Sequence, residues 1–157
     1  MNPKILAHKQ RLDNLYGKVA TIPAPQDQVE WSKYLCVLTA GFIEESLRVL
    51  ILEFAKNNSS REIQKFVEKE ISYVTNCKTE RILEVLNKFD TAWGTTFETE
   101  IKDNSPIDKE IKDSIDSIVS NRHLIAHCKS VGMTYSTVRK YYGFCTKAIE
   151  ILEDTIQ

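Results

Sequence analysis

Apolar residues recur at steps of three and four along nearly the whole chain, and very little interrupts them. That period belongs to helices; no stretch alternates as a half-buried strand would. Only five glycines and four prolines punctuate 157 residues. The first helix is expected from Lys4 to Val19, ending ahead of Thr21-Ile22-Pro23-Ala24-Pro25, where two prolines enforce an extended linker. A long helix follows from Gln26 to Asn57, interrupted only at Gly41, a glycine suited to close helix–helix approach. After a turn at Asn57-Asn58-Ser59-Ser60, Ser59 and Glu62 read as a capping box for a helix bearing Ile63, Phe66, Val67, Ile71 and Val74. Asn76-Cys77-Lys78-Thr79 breaks the pattern before a helix with Ile82, Leu83, Val85, Leu86 and Phe89. Between Thr91 and Ser105 the signal weakens to irregular structure with one extra turn. Ser105 as cap, Pro106 at the first helical position, and Asp108 and Glu110 behind it then start a helix that ends near His127 or Cys128. Ser130 to Thr134 connects to a last helix from Ser136 to Thr155. Trp31, Trp93 and the phenylalanines are assigned to the core. The expectation is an all-α, single-domain bundle of five or six helices: an N-terminal helix and linker over 1–25, then the main bundle over 26–157.

The bulk properties narrow the function classes. Apolar content of 42 % and charged content of 27 % are ordinary for a globular domain. A formal net charge of −1 provides no global positive field, so any polyanion site must be a local patch. No apolar run approaches the ~20 residues of a spanning helix, and Met1-Asn2-Pro3-Lys4 lacks the apolar core of a signal peptide. A cytoplasmic protein without membrane contact is expected. Cys36, Cys77, Cys128 and Cys145 are scattered, which suits reduced and mostly buried thiols. With His8, His123 and His127 they form no ligand spacing, so neither metal nor cofactor is expected.

One stretch departs from the pattern of a helix built only for packing. In Ser120-Asn121-Arg122-His123-Leu124-Ile125-Ala126-His127, an arginine and two histidines fall within six residues. Ile107, Ile111, Ile115, Ile118 and Ile125 mark an apolar stripe, and at about 100° per residue Arg122 falls along its centre. A guanidinium there needs a partner, because an unpaired buried charge costs several kcal/mol. A structural ion pair, a subunit interface and an anionic ligand each supply one. Residues five apart stand about 140° apart on a straight helix, so His127 projects from the flank, on the side of His123 and Asp116. Reach of the arginine, fraying of the helix end or a second copy would bring the groups together.

The chemistry open to such a pair is definite. A neutral imidazole, with an ordinary pKa of ~6.5, can take the proton of an RNA 2′-hydroxyl. A fixed guanidinium offers several N–H donors to phosphoryl oxygens as charge accumulates. His123 can orient the phosphate or carry a second proton. Upstream, Glu44 and Arg48 stand at i, i+4 and can pair, while Glu45 lies one position round; either carboxylate can hold Arg122 or a histidine, or the acids simply form a solvated pair. Downstream, Lys129, Arg139 and Lys140 are interleaved with Tyr135, Tyr141 and Tyr142. Such a cluster suits a nucleic-acid backbone with unstacked bases, or else the tyrosines are core residues with polar tips.

Arg122-His123-Leu124-Ile125-Ala126-His127 resembles the Arg-x4-His motif of the HEPN superfamily. The upstream Cys36-Val37-Leu38-Thr39-Ala40-Gly41-Phe42-Ile43-Glu44-Glu45-Ser46-Leu47-Arg48 is similar to the long-helix signature of its RiboL-PSP-HEPN branch. Together they cover the chain from about Gln26 onward. The resemblance implies a metal-independent endoribonuclease of toxin–antitoxin, abortive-infection or other anti-phage systems, acting on RNA (tRNA or another selective RNA) rather than DNA. It implies a homodimer in which two motifs face one cleft, with Ile111, Ile115, Ile118 and Arg122 contributing to the interface, and an antitoxin or other defence protein as partner. Arg122 and His127 then match the catalytic pair, His123 the polar position after the arginine, and Glu44 the long-helix acid. Lys129, Tyr135, Arg139 and Lys140 are the expected RNA contacts. The alternative is a non-catalytic HEPN module that binds RNA, a nucleotide or a protein partner.

Overall fold

A computed structural model describes residues 1–129 and 131–156. Its helices are α1 (Pro3–Ala20), α2 (Pro25–Asn58), α3 (Arg61–Ser72), α4 (Thr79–Phe89), α5 (Thr91–Asp103), α6 (Glu110–Ala126) and α7 (Tyr135–Thr155), and the described residues contain no strand. Seven helices replace the five or six expected. Ser130, the start of the expected 130–134 connection, and Gln157 lie outside the described residues.

The additional helix is α5. Asp90 ends α4, its N–H donating to the Leu86 carbonyl, and at once caps α5 by accepting from the Ala92 N–H at 2.8 Å. A one-residue corner leaves no loop composition to read. Gly94 leaves room beside it: a Cβ there would stand 2.0 Å from Oδ1 of the exposed Asn87 side chain, which would have to turn away. Gly41, by contrast, is exposed with open space around it, so α2 runs through it unbroken and no close approach occurs there.

Two helix starts also differ from expectation. Ser60 occupies the cap of α3, while the Ser59 hydroxyl turns back to the Ala55 carbonyl at 2.7 Å, so no Ser59–Glu62 box forms. α6 begins at Glu110 behind Lys109, which adopts a left-handed backbone at φ 61°. Ser105 still contributes by accepting from the Ile111 N–H at 3.2 Å. Ile107 thus precedes the helix and is exposed.

The core forms where α2, α6 and α7 meet, and α1 closes one side. α1 runs antiparallel to α2 and α7. Its start meets their far ends, Asn2 bonding to Glu53 and the Met1 amine to Glu153. Its end meets their near halves, the Tyr16 hydroxyl bonding to Thr39 Oγ1 at 2.7 Å and to the Val138 carbonyl. Tyr16 is fully buried and stacks on Tyr142 at 4.4 Å. Burial pushes both phenols well above their ordinary pKa. Ile111, Ile115 and Ile118 are fully buried in the same core. They fill the protomer itself and are not available to a subunit interface, contrary to expectation. Among the residues assigned to the core, Trp31, Phe66 and Phe89 are instead exposed.

Candidate RNA-processing site at the end of α6

Where α6 runs out of core, its side chains change character. Ile118 is fully buried, Arg122 and Ile125 are half-buried, and His123 and His127 are exposed. Arg122 therefore sits at the margin of the apolar stripe, not along its covered centre, and it makes no ion pair among the described residues. Its Nη1 donates to Asn76 Oδ1 at 3.0 Å. A half-exposed guanidinium needs less compensation than a buried one, which is why a neutral amide suffices.

Asn76 belongs to the connection between α3 and α4, residues 73–78, and the surrounding helices clamp that connection. Its backbone is left-handed, with φ 53°, a conformation asparagine tolerates better than most residues. In that position its N–H donates to Glu44 Oε1 of α2 at 2.7 Å. Cys77 is fully buried beside it, and burial raises its thiol pKa to about 12. The Thr79 N–H donates to Asp116 Oδ1 of α6 at 2.8 Å, and Asp116 Oδ2 takes Lys112 at 2.7 Å. Glu44 does not pair with Arg48, as its spacing would allow; Arg48 takes Glu45 at 2.5 Å instead. A chain of contacts thus runs from Glu44 through Asn76 to Arg122.

The end of α6 is a complete Schellman motif. Cys128 is left-handed at φ 55°, its N–H donates to the Ile125 carbonyl at 3.0 Å, and the Lys129 N–H reaches the Leu124 carbonyl at 2.9 Å. His127 is the C-cap, with φ −97° and ψ 20°. The helix end is bonded and not frayed. The His123 and His127 rings lie 4.4 Å apart at 58°. Between this end and the clamped connection lies a cleft of about 340 Å³, lined by Asn76, Lys78, Val119, Ser120, His123 and Leu124. That volume is at the small end for ligand pockets. Val119 and Leu124 supply its apolar lining, and Asn76, Ser120, Lys78 and His123 its polar groups.

The structure brings Arg122, His123 and His127 to one helix end and links Glu44 to it through Asn76. Lys129 is exposed just beyond. The rest of the downstream cluster is engaged elsewhere. The Tyr135 hydroxyl donates to the Tyr16 carbonyl at 2.9 Å, Arg139 lies over the Tyr16 and Tyr142 rings, and Lys140 pairs with Glu110 at 2.5 Å. Asn76 and Lys78 were not identified from sequence. A break between helices was legible there, but nothing local shows that Asn76 meets an arginine 46 positions later. Among the described residues no group of three or more His, Cys, Asp or Glu is placed to hold a metal, and no helix is long and apolar enough to cross a membrane.

No curated protein and no solved structure matches the chain. Residues 4–157 match RiboL-PSP-HEPN, so α1 falls within the match along with the two motifs. On that match across nearly its full length, this chain belongs to the RiboL-PSP-HEPN family.

Proposed function

We propose that this protein is a metal-independent endoribonuclease, cytoplasmic and homodimeric, that cleaves a selective RNA such as a tRNA within a toxin–antitoxin or anti-phage system. The observation that carries the reading is the end of α6: two exposed imidazoles 4.4 Å apart, one of them lining a cleft, with Arg122 of the same helix end held by Asn76 of that cleft.

In this reading His127 takes the proton of a 2′-hydroxyl, and the 2′-oxygen attacks the adjacent phosphorus. The bond from phosphorus to the 5′-oxygen breaks. His123 gives that leaving oxygen a proton, and the products are a 2′,3′-cyclic phosphate and a 5′-hydroxyl. Arg122 donates to the phosphoryl oxygens as charge develops on them. The structure leaves it donors for this task, because no carboxylate holds it among the described residues and its partner is a neutral amide. Lys78, which lines the cleft, and Lys129, exposed two residues past His127, are the cations offered to flanking phosphates, while Tyr135, Arg139 and Lys140 are held by contacts within the chain. Homodimerisation would bring two such helix ends to one cleft, and the exposed Trp31–Tyr34 pair of α2 offers apolar surface to a partner.

The test is cleavage of total cellular RNA and bulk tRNA by purified protein in EDTA. Wild type is expected to cut and to leave 2′,3′-cyclic phosphate ends; the Arg122→Ala/His127→Ala double variant is expected not to. Equal cutting by both would overturn the reading. The second reading, a module that binds RNA, a nucleotide or an antitoxin without turnover, is favoured by the net charge of −1. It predicts RNA affinity that falls on Arg122→Ala and no cleavage by wild type.

A further inference from the structure

We propose that Glu44 and Asn76 are positioning residues that hold Arg122 in its working orientation, and that Glu44 acts through its hydrogen-bond acceptor and not through its charge on the substrate. The inference rests on the endoribonuclease reading for its kinetic consequences, but its structural content stands apart from it.

Three observations carry it. The Glu44 carboxylate accepts the Asn76 backbone N–H at 2.7 Å, so its contact is with the connection and not with Arg122. That bond closes on a residue with φ 53°, a left-handed conformation that asparagine tolerates and the Glu44 bond holds in place. With the backbone so fixed, Asn76 Oδ1 meets Arg122 Nη1 at 3.0 Å. Asp116 on the Thr79 N–H holds the same connection from its other end. A guanidinium carries five donors. One is used on Asn76, which anchors one side of the fork and leaves other donors for a ligand. A carboxylate in place of Asn76 would anchor the arginine equally well but would neutralise the charge that a phosphate needs. The amide orients without neutralising.

The consequence separates two roles for Glu44 that a single alanine variant would confuse. If the carboxylate worked by charge or as a base, Glu44→Gln would be as damaging as Glu44→Ala. As an acceptor for an N–H, the glutamine carbonyl replaces it. Glu44→Gln is therefore expected to cleave RNA within a few-fold of wild type. Glu44→Ala and Asn76→Gly should lower kcat by about 10²-fold, the scale of a misplacement near 1 Å, with little change in KM. Glycine at 76 keeps the left-handed backbone available, so this variant removes only the side-chain contact. Added to Arg122→Ala, neither change should reduce cleavage further.

A second measurement decides the relay whether or not wild type cuts RNA. The Arg122 guanidinium Nη–Hη signal, assigned by its loss in Arg122→Lys, is followed by low-temperature NMR in the same variants. Asn76→Gly and Glu44→Ala are expected to shift it to the position of solvent-exposed arginines, and Glu44→Gln to leave it near its wild-type place. An unchanged signal in Asn76→Gly would overturn the proposal. So would a Glu44→Gln variant that loses cleavage while its Arg122 signal stays put. Absence of cleavage in wild type, with the signal shifting as expected, would overturn the enzymatic reading and leave the relay standing.

Discussion

Two regions of this molecule carry nearly the same residue types and do opposite things with them. The start of α7 has Tyr135, Arg139, Lys140 and Tyr142; the end of α6 has Arg122, His123, His127 and Lys129. At α7 each of these groups is engaged within the chain. Arg139 covers the stacked Tyr16 and Tyr142 rings, Tyr142 donates to Asp13 at 2.8 Å, and Lys140 takes Glu110. At α6 the imidazoles are exposed and the guanidinium has only an amide. The same residue types are thus tied into contacts within the chain in one region and left largely unengaged in the other. What separates the regions is the neighbour: α1 lies across α7, whereas the end of α6 faces a short connection and a cleft.

The comparison breaks most decisively at its extremes. His127→Ala is expected to lower RNA cleavage by about 10²–10⁴-fold, the usual worth of general acid–base help, and Arg122→Ala by about 10²–10³-fold, that of a donor to developing charge, without moving the thermal midpoint. Tyr16→Ala should do the reverse. It costs about 3–5 kcal/mol of stability, as large aromatic truncations do, and leaves cleavage per folded molecule unchanged, measured by denaturant titration beside RNA assays. Cys128→Gly should stabilise by about 1 kcal/mol, because the left-handed position strains a side chain and suits glycine; the shift in denaturant midpoint reads it. Arg139→Ala should cost about 0.5–1 kcal/mol, the worth of an exposed cation–π contact, and leave RNA affinity intact. A loss of RNA affinity in that variant would erase the contrast between the two regions.

The smallest expected effect is a pH dependence confined to the α1–α7 side. Burial opposes ionisation of Asp13, but hydrogen bonds from Lys9 and Tyr142, with the charges of Lys9 and Arg139, outweigh it and hold its carboxyl below the ordinary range. A depressed carboxylate contributes stability above its unfolded pKa, near 3.9, and loses it as pH falls through the lower folded value. Asp13→Asn is therefore expected to lower stability slightly at neutral pH and to flatten the acid limb of the curve below about pH 4, where the variant and wild type converge.

How much of this was legible in sequence follows from the range of each signal. The all-α class, the prolines around 21–25, the run of α2 and the Arg-x4-His hexapeptide are local patterns, and all were read. α5 was missed because Thr91, Gly94, Thr95 and Thr96 are weak helix formers; packing of Phe97 and Ile101 into the core overrides them. Glu44 was singled out, yet its partner was not, since i, i+4 spacing favoured Arg48 and the actual contact lies 32 positions away. The position of Arg122 on the stripe was correct as an angle and wrong as a burial, because an angle does not say where along the helix the neighbours stop. Long-range hydrogen bonds to a backbone N–H carry no sequence signature.

The Schellman end of α6 has a consequence for how the motif tolerates changes in length. The bearing of His127 is fixed from downstream, by the reversal at Cys128 and the bond from Lys129 back to Leu124. That of Arg122 is fixed from upstream, by its phase on the helix against Asn76. One residue inserted between them would leave the cap intact but turn the two side chains by about 100° relative to each other. The number four in the spacing is thus a property of a right-handed screw meeting its stop, and insertions outside α6, its cap and the 73–78 connection leave the arrangement untouched.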